Sequence, residues 1–353
     1  MKTSVPTQTD VRAHNPYPIS FTDRLMRSIS RQPIPYSLTY FGLFFLQSLA
    51  LHILIWIDGW MDTFSFNPIL LLFPLWLWLP LAIITYLNNV AVEALTTFSA
   101  LLDCNEEDLD QLKFEFTTLP VRGVVINLIF WDILYLFLVY LVRNSFFVSY
   151  GLSPMLSTVL TVMGFISYSV GSVIYYHSLR QLKLVNRTVK MVNEFNLFQL
   201  EPVYAFSRLT AQTGIAWIIL MSLTLLIFPI EIAPLPVIAF LFGQTSLSLA
   251  AFILPLWVVN QRLVSEKRQK IADLNQRTKT TLDRLHHALD SNTQENFENL
   301  NDALAGLNTE RDILSKISTW PWRQGVFTGF LSAIVLPIVL FLLQLILGNL
   351  LDA

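Results

Sequence analysis

The chain has 353 residues, of which 54% are apolar and only 14% charged, with a mean hydropathy of +0.53; an ordinary soluble domain is roughly a quarter charged. Its apolar residues come in runs about 20 long, each enough to cross a hydrocarbon core about 30 Å thick, which marks a multi-pass integral membrane protein. A net charge of −2 excludes a broad basic surface for nucleic acid, and a single cysteine, Cys104, excludes a disulfide framework or a cysteine-based metal cluster.

The first 36 residues are polar and lack a small-residue cleavage pattern, so a cleaved secretory signal is not expected. Within them Ser20 and Asp23 have capping-box spacing. Phe21, Leu25 and Ile29 share a helical face opposite Arg24 and Arg27, which predicts an interfacial helix on the inner leaflet. Seven apolar spans follow, over 37–57, 68–87, 123–142, 155–176, 213–232, 236–259 and 325–349. If the connections alternate sides, 22 of the 23 basic residues fall on one side and only Arg143 on the other. That asymmetry predicts an inside N-terminus and an outside C-terminus, in a plasma or inner membrane. The outer turns, 58–67, 143–154 and 229–236, are short. They leave little room for an outer binding domain.

The length lies in the inner connections. Residues 260–320 predict an antiparallel helical hairpin with a coiled-coil-like seam. One arm carries Leu263, Ile271, Leu274, Leu282, Leu285 and Leu289. The return arm carries Phe297, Leu300, Leu304, Leu307 and Leu314, with Arg311 interrupting the heptad. Asn292 and Glu295 suit the cap between the arms. Two shorter hairpins are expected within the six-helix membrane region, 37–259. Ala91, Leu95, Phe98 and Leu102 continue one helix past the second span, and Asn105 with Asp108 caps its return. Leu179, Leu182, Val185, Val189 and Val192 extend the fourth span at helical spacing. Pro120, Pro202 and Pro321 stand where the chain re-enters the membrane, the last flanked by Trp320, Trp322 and Arg323 as interfacial anchors for the final segment, 321–353.

Chemistry-bearing residues are few. No phosphate loop, nucleophile elbow or paired metal-binding histidines occur, which reads as non-enzymatic, with no cofactor, catalytic or metal residue assigned. Asp132 is the only carboxylate well inside a span, and an intramembrane carboxylate is a functional candidate. Counting 1.5 Å per residue puts Ser167, Gln244 and Ser332 near its depth, a candidate internal polar layer. Ser167 and Gly171 form a small-xxx-small pair suited to close helix packing, and Pro337 predicts a kink in the last span.

In overall plan, the inner hairpin 260–320 followed by the terminal span 325–349 resembles the insect odorant and gustatory receptors, a family of ligand-gated cation channels. The resemblance is one of topology: seven spans, inside N-terminus, outside C-terminus and inner helical extensions. It implies a homo-oligomer with the last span lining a pore, where Thr328, Ser332 and Gln344 would form the wettable face; the family's tyrosine-containing pattern in that span is absent here. The residues themselves point first to an all-α, receptor-like sensor or scaffold. It would sit in a lipid bilayer and present the 260–320 module to a cytoplasmic protein partner or to a second copy of itself, with ion conduction as the alternative.

Overall fold

A computed structural model describes residues 17–143, 152–192, 195–198, 200–227, 234–290, 297–322 and 324–351. Among them the regular elements are helices: α1 (Phe21–Ser30), α2 (Tyr36–Asp58), α3 (Leu72–Phe98), α4 (Glu106–Thr117), α5 (Val121–Arg143), α6 (Pro154–Gly171), α7 (Val173–Lys190), α8 (Glu201–Ile227), α9 (Pro234–Asp290), α10 (Phe297–Lys316) and α11 (Gln324–Leu351). The one extended pairing there is an isolated antiparallel bridge from Ile19 to Pro120.

Local chemistry sets the helix starts. Ser20, Asn105 and Ser153 each accept, through the side-chain oxygen, a backbone N–H of the helix that follows. Pro154 takes the first position of α6, where its missing N–H leaves no bond unmade. At the end of α2, Gly59 takes a left-handed φ of +76°, which only glycine adopts without strain. Ser153 also donates to Asp58 at 2.6 Å, tying the C-terminal end of α2 to the N-terminal end of α6.

Among the described residues, six helical stretches are long and apolar enough to cross a bilayer: Tyr36–Asp58, Pro68–Leu101, Pro154–Lys190, Glu201–Ile227, Thr245–Asp290 and Gly325–Gln344. The remaining sequence-predicted span coincides with the 23-residue helix α5. The fourth predicted span is not one uniform helix. It divides into α6 and α7 at Ser172, whose hydroxyl donates to Ser169 O and accepts from Asn127 of α5. Next to this joint α6 presses on α3: a Cβ placed on Gly171 would lie 1.8 Å from the carbonyl oxygen of Trp76. One on Gly164 would lie 2.2 Å from the Tyr135 hydroxyl. A glycine is therefore required at 171, against the α3 backbone, whereas at 164 the neighbour is the end of a Tyr135 side chain from α5.

Apolar burial forms a stack of clusters. At one end Leu51, Ile55, Leu70, Leu156 and Leu160 join α2 to α6. In the middle α2, α3, α5, α7 and α8 share residues such as Leu81, Ile84, Val124, Ile174 and Trp217, with Ala211, Ile218, Phe252, Leu256 and Phe330 joining α8, α9 and α11 beside them. At the other end a separate core draws on six helices, with Phe98, Phe116, Val185, Phe206, Leu263 and Leu314 among its members. The helices α3, α7, α8 and α9 each reach that core as continuations of membrane-length segments.

The helix α9 runs 57 residues without interruption, roughly 85 Å at 1.5 Å per residue, with Pro255 inside it. Against it α10 returns antiparallel: Asn260 donates to Thr319 O at 2.9 Å, and Lys267 donates to Ser315 O and Ile317 O. Seam burial is uneven. Leu263, Leu274 and Leu314 are buried, whereas Leu289 and Phe297, near the turn, are 55% and 39% exposed. The proposed cap at Asn292 and Glu295 lies outside the described residues.

The first helix divides its expected apolar face, burying Ile29 alone of Phe21, Leu25 and Ile29. It docks through Thr22, Asp23, Met26 and Ile29 and leaves Phe21 and Leu25 outside. The cause is Asp23, whose carboxylate accepts from the Leu119 N–H at 2.7 Å and from the Ser20 hydroxyl at 2.8 Å, so the polar-looking side of the helix is the one turned inward.

Candidate functional site

The basic residues behind the predicted orientation do specific work in the fold. Helices α4, α7 and α10 end at the six-helix core, and each leaves carbonyls without intrahelical donors. Arg262 of α9 donates to Val189 O and Val192 O at 2.9 and 2.8 Å and lies over the Phe195 ring. Five residues along the same helix, Lys267 closes the end of α10. Arg180 of α7 donates to Glu115 O in the last turn of α4 and to the Tyr17 hydroxyl. Arg187 pairs with the Glu115 carboxylate at 2.8 Å. Three helix C-termini, each the negative end of a dipole, thus receive a cation from a neighbouring long helix.

Above this lies a band of buried polar groups. His177 of α7 donates to Asn88 of α3 at 2.8 Å, and Asn88 donates in turn to Thr117 O. Gln181 donates to Leu87 O, and the Trp217 indole of α8 donates to Ser178. The Nδ1 of His177 and Oε1 of Gln181 are buried without a partner. On its outer side the band meets the α1 dock, where Arg27 donates to the Thr118 hydroxyl at 2.7 Å and Tyr17 donates to Thr118 O. Burial pushes the Tyr17 hydroxyl up to about 12 and raises the Asp23 carboxyl, the latter opposed by its bonds to Ser20 and Leu119.

The residues singled out from sequence are distributed as follows. Asp132 on α5 is partly buried, with one carboxylate oxygen enclosed and unpartnered, and the buried Ser167 hydroxyl on α6 likewise has no partner. Ser332 is exposed and donates to Thr328 O of its own helix. No hydrogen bond joins Asp132, Ser167 and Ser332 among the described residues. The side chain of Gln244 is outside them. Of the three residues proposed for a wettable face, Thr328 and Ser332 are exposed, while the Gln344 amide donates to Leu225 O at 2.9 Å, at the end of α8. Sixteen residues at 100° each set Gln344 about 160° away from Thr328 around the helix. Trp320 and Trp322 stack at 4.4 Å and continue an aromatic ladder through Trp257, Phe252 and Phe327. Arg323 is outside the described residues.

Sequence reasoning missed a groove of about 420 Å³ between α5, α7 and α9, lined by Asn127, Phe130, Trp131, Tyr175, Leu179, Gly243 and Leu247. Its walls suit an aromatic or aliphatic group, and the amide of Asn127 is its polar element. The available signal was the aromatic pair Trp131 and Tyr175, which stack at 4.3 Å, but nothing in sequence brings them together. Comparison with protein-family models, with curated proteins and with solved structures yields no match.

Proposed function

We propose that this protein is a non-enzymatic, receptor-like membrane scaffold with seven spans, α5 included. Its N-terminus is inside and its C-terminus outside, and its cytoplasmic α9–α10 stalk engages a partner. The observation that carries this reading is the six-helix core into which α3, α7, α8 and α9 run directly from the membrane, with Arg180, Arg262 and Lys267 locking the ends of the shorter helices. Such a core couples membrane helices to one rigid base. Beyond it the stalk extends with its seam only partly covered.

The test uses the full chain in its native membrane. A photo-crosslinking residue at Leu289 should yield a discrete adduct, and the same residue at the buried Leu263 should not. A reporter fused after residue 353 should be active only outside, and one inserted at 292 only inside. Both reporters on one side would overturn the topology; no adduct at Leu289, together with cation flux from reconstituted vesicles, would overturn the scaffold in favour of conduction.

The exposed state of α11 favours a second reading. Only 11% of its most apolar stretch is buried in the single chain, and Thr328, Ser332, Gly325 and Gly329 are all exposed along its basic-side half. That surface is suited to contact with further copies, as in an oligomeric ligand-gated cation channel. A ring-shaped oligomer in detergent would support it.

A further inference from the structure

We propose that α1 holds a binding site for the phosphate of an anionic phospholipid headgroup, formed by Arg24, Arg27, Ser28 and Arg31. At 100° per residue, α1 divides into three sectors. Thr22, Asp23, Met26 and Ile29 face the protein and are buried. Phe21 and Leu25, 49% and 37% exposed, form an uncovered apolar sector. Arg24, Arg27 and Arg31 occupy the third. These arginines, with Ser28 and Ile19, line a groove of about 300 Å³.

The charge in that groove is compensated only in part, at Arg27, which attracts the Asp23 carboxylate one turn earlier without forming an ion pair. No carboxylate lies within ion-pair distance of the three arginines among the described residues. Asp23, the one acid of α1, is held by Ser20 and Leu119, which leaves Arg24 and Arg31 without an ion-pair partner among the described residues. Arg27 spends one amino group on Thr118 and keeps its remaining N–H donors.

Position supplies the ligand. Met26 and Ile29 pack into the same cluster as Tyr40, Leu81 and Val124, which belong to α2, α3 and α5. Tyr40 and Val124 stand in the first turns of α2 and α5, so the helix lies where those two spans begin, at headgroup depth. There the exposed Phe21 and Leu25 enter the acyl boundary while the arginines remain among phosphates. A guanidinium offers paired N–H donors that match phosphate oxygens, and docking at Leu119 and Thr118 fixes all three on a rigid helix. The inference needs only a membrane-spanning α2 and is independent of any partner of the stalk.

The test is native mass spectrometry of the full chain in detergent, titrated with short-chain phosphatidylserine or phosphatidylcholine. Phosphatidylserine should bind preferentially, and Arg24→Gln with Arg31→Gln should weaken it about 30-fold, from the ordinary contribution of two arginines beside anionic lipid. Both positions are exposed, so the variant should retain its elution volume; Arg24→Lys with Arg31→Lys, which keeps the charge but loses the paired donors, should restore the binding only in part. Equal binding of the two lipids, or unchanged affinity in the glutamine variant, would overturn the site. Displacement of phosphatidylserine by millimolar inorganic phosphate alone would show a free-anion site instead, and would overturn the lipid assignment.

Discussion

The helices α8 and α11 are nearly the same length, 27 and 28 residues, yet 61% of the most apolar stretch of α8 is buried against 11% in α11. The more buried helix is the less apolar of the two. Lipid tails are as apolar as leucine, so burial between spans is driven by close packing rather than escape from water. Accordingly α8 buries Ser207, Thr210, Thr213 and Ser222, whose hydroxyls bond back to carbonyls of their own helix. In α11, Leu331, Val335, Leu342 and Ile346 point outward, and Phe330 is the anchor that enters the α8–α9 cluster. In a bilayer, hydropathy reports what faces lipid, and small or hydroxylated residues report what faces protein.

The contrast can be broken most strongly at the buried Phe330. Phe330→Ala should destabilise the protein by about 3 kcal/mol, the range for emptying an aromatic site, whereas Leu342→Ala should leave thermal unfolding in detergent unchanged. A matched glycine pair sharpens it next. A Cβ on Gly214 would lie 2.6 Å from the Phe330 ring and 3.0 Å from Ser248 O, while one on Gly329 meets nothing within 4 Å. Gly214→Leu should therefore cost about 2 kcal/mol by overpacking, and Gly329→Leu should be neutral; equal shifts would mean that α11 is not seated as described. Gln344→Leu removes the amide bond to Leu225 O and should cost about 0.6 kcal/mol, the average for an interhelical hydrogen bond in a membrane, read in the same melts. Asp132→Asn keeps the shape and the enclosed oxygen, so its effect on stability should be smaller still.

Much of the architecture could be read in advance because it depends on local pattern. Apolar runs located the membrane helices, Asn105 and Ser20 marked helix starts that the structure retains, and apolar spacing through Val185 and Leu263 marked helices continuing past the membrane. Which face of a helix meets which neighbour was not legible. Phe21, Leu25 and Ile29 looked like one apolar face of α1, but with Asp23 bonded to Leu119, 96 residues away, Ile29 alone of the three is buried. Arg262 counted as one more inner charge, although its acceptors on Val189 and Val192 are carbonyls that no sequence pattern advertises. The expected polar layer around Asp132 rested on depth alone, and depth does not specify rotation about a helix axis. The hydrogen-bonded band instead formed around His177 and Asn88, where both the depth and the facing sides coincide.

Proline inside α9 gives that helix a mechanical character. Pro255 cannot donate to the carbonyl one turn earlier, so the rod is softest there, close below the Phe252–Phe330 contact. From Pro255 to Asp290 the rod is roughly 52 Å long at 1.5 Å per residue. A change of about 5° at the proline would carry its far end sideways by about 4.5 Å, more than the length of a hydrogen bond. Because Arg262, Leu263 and Leu274 hold this stretch of α9 in the six-helix core, a small repacking among the aromatic rings at Phe252 would have to tilt core and stalk together, and leverage would then turn it into a displacement that another molecule could feel.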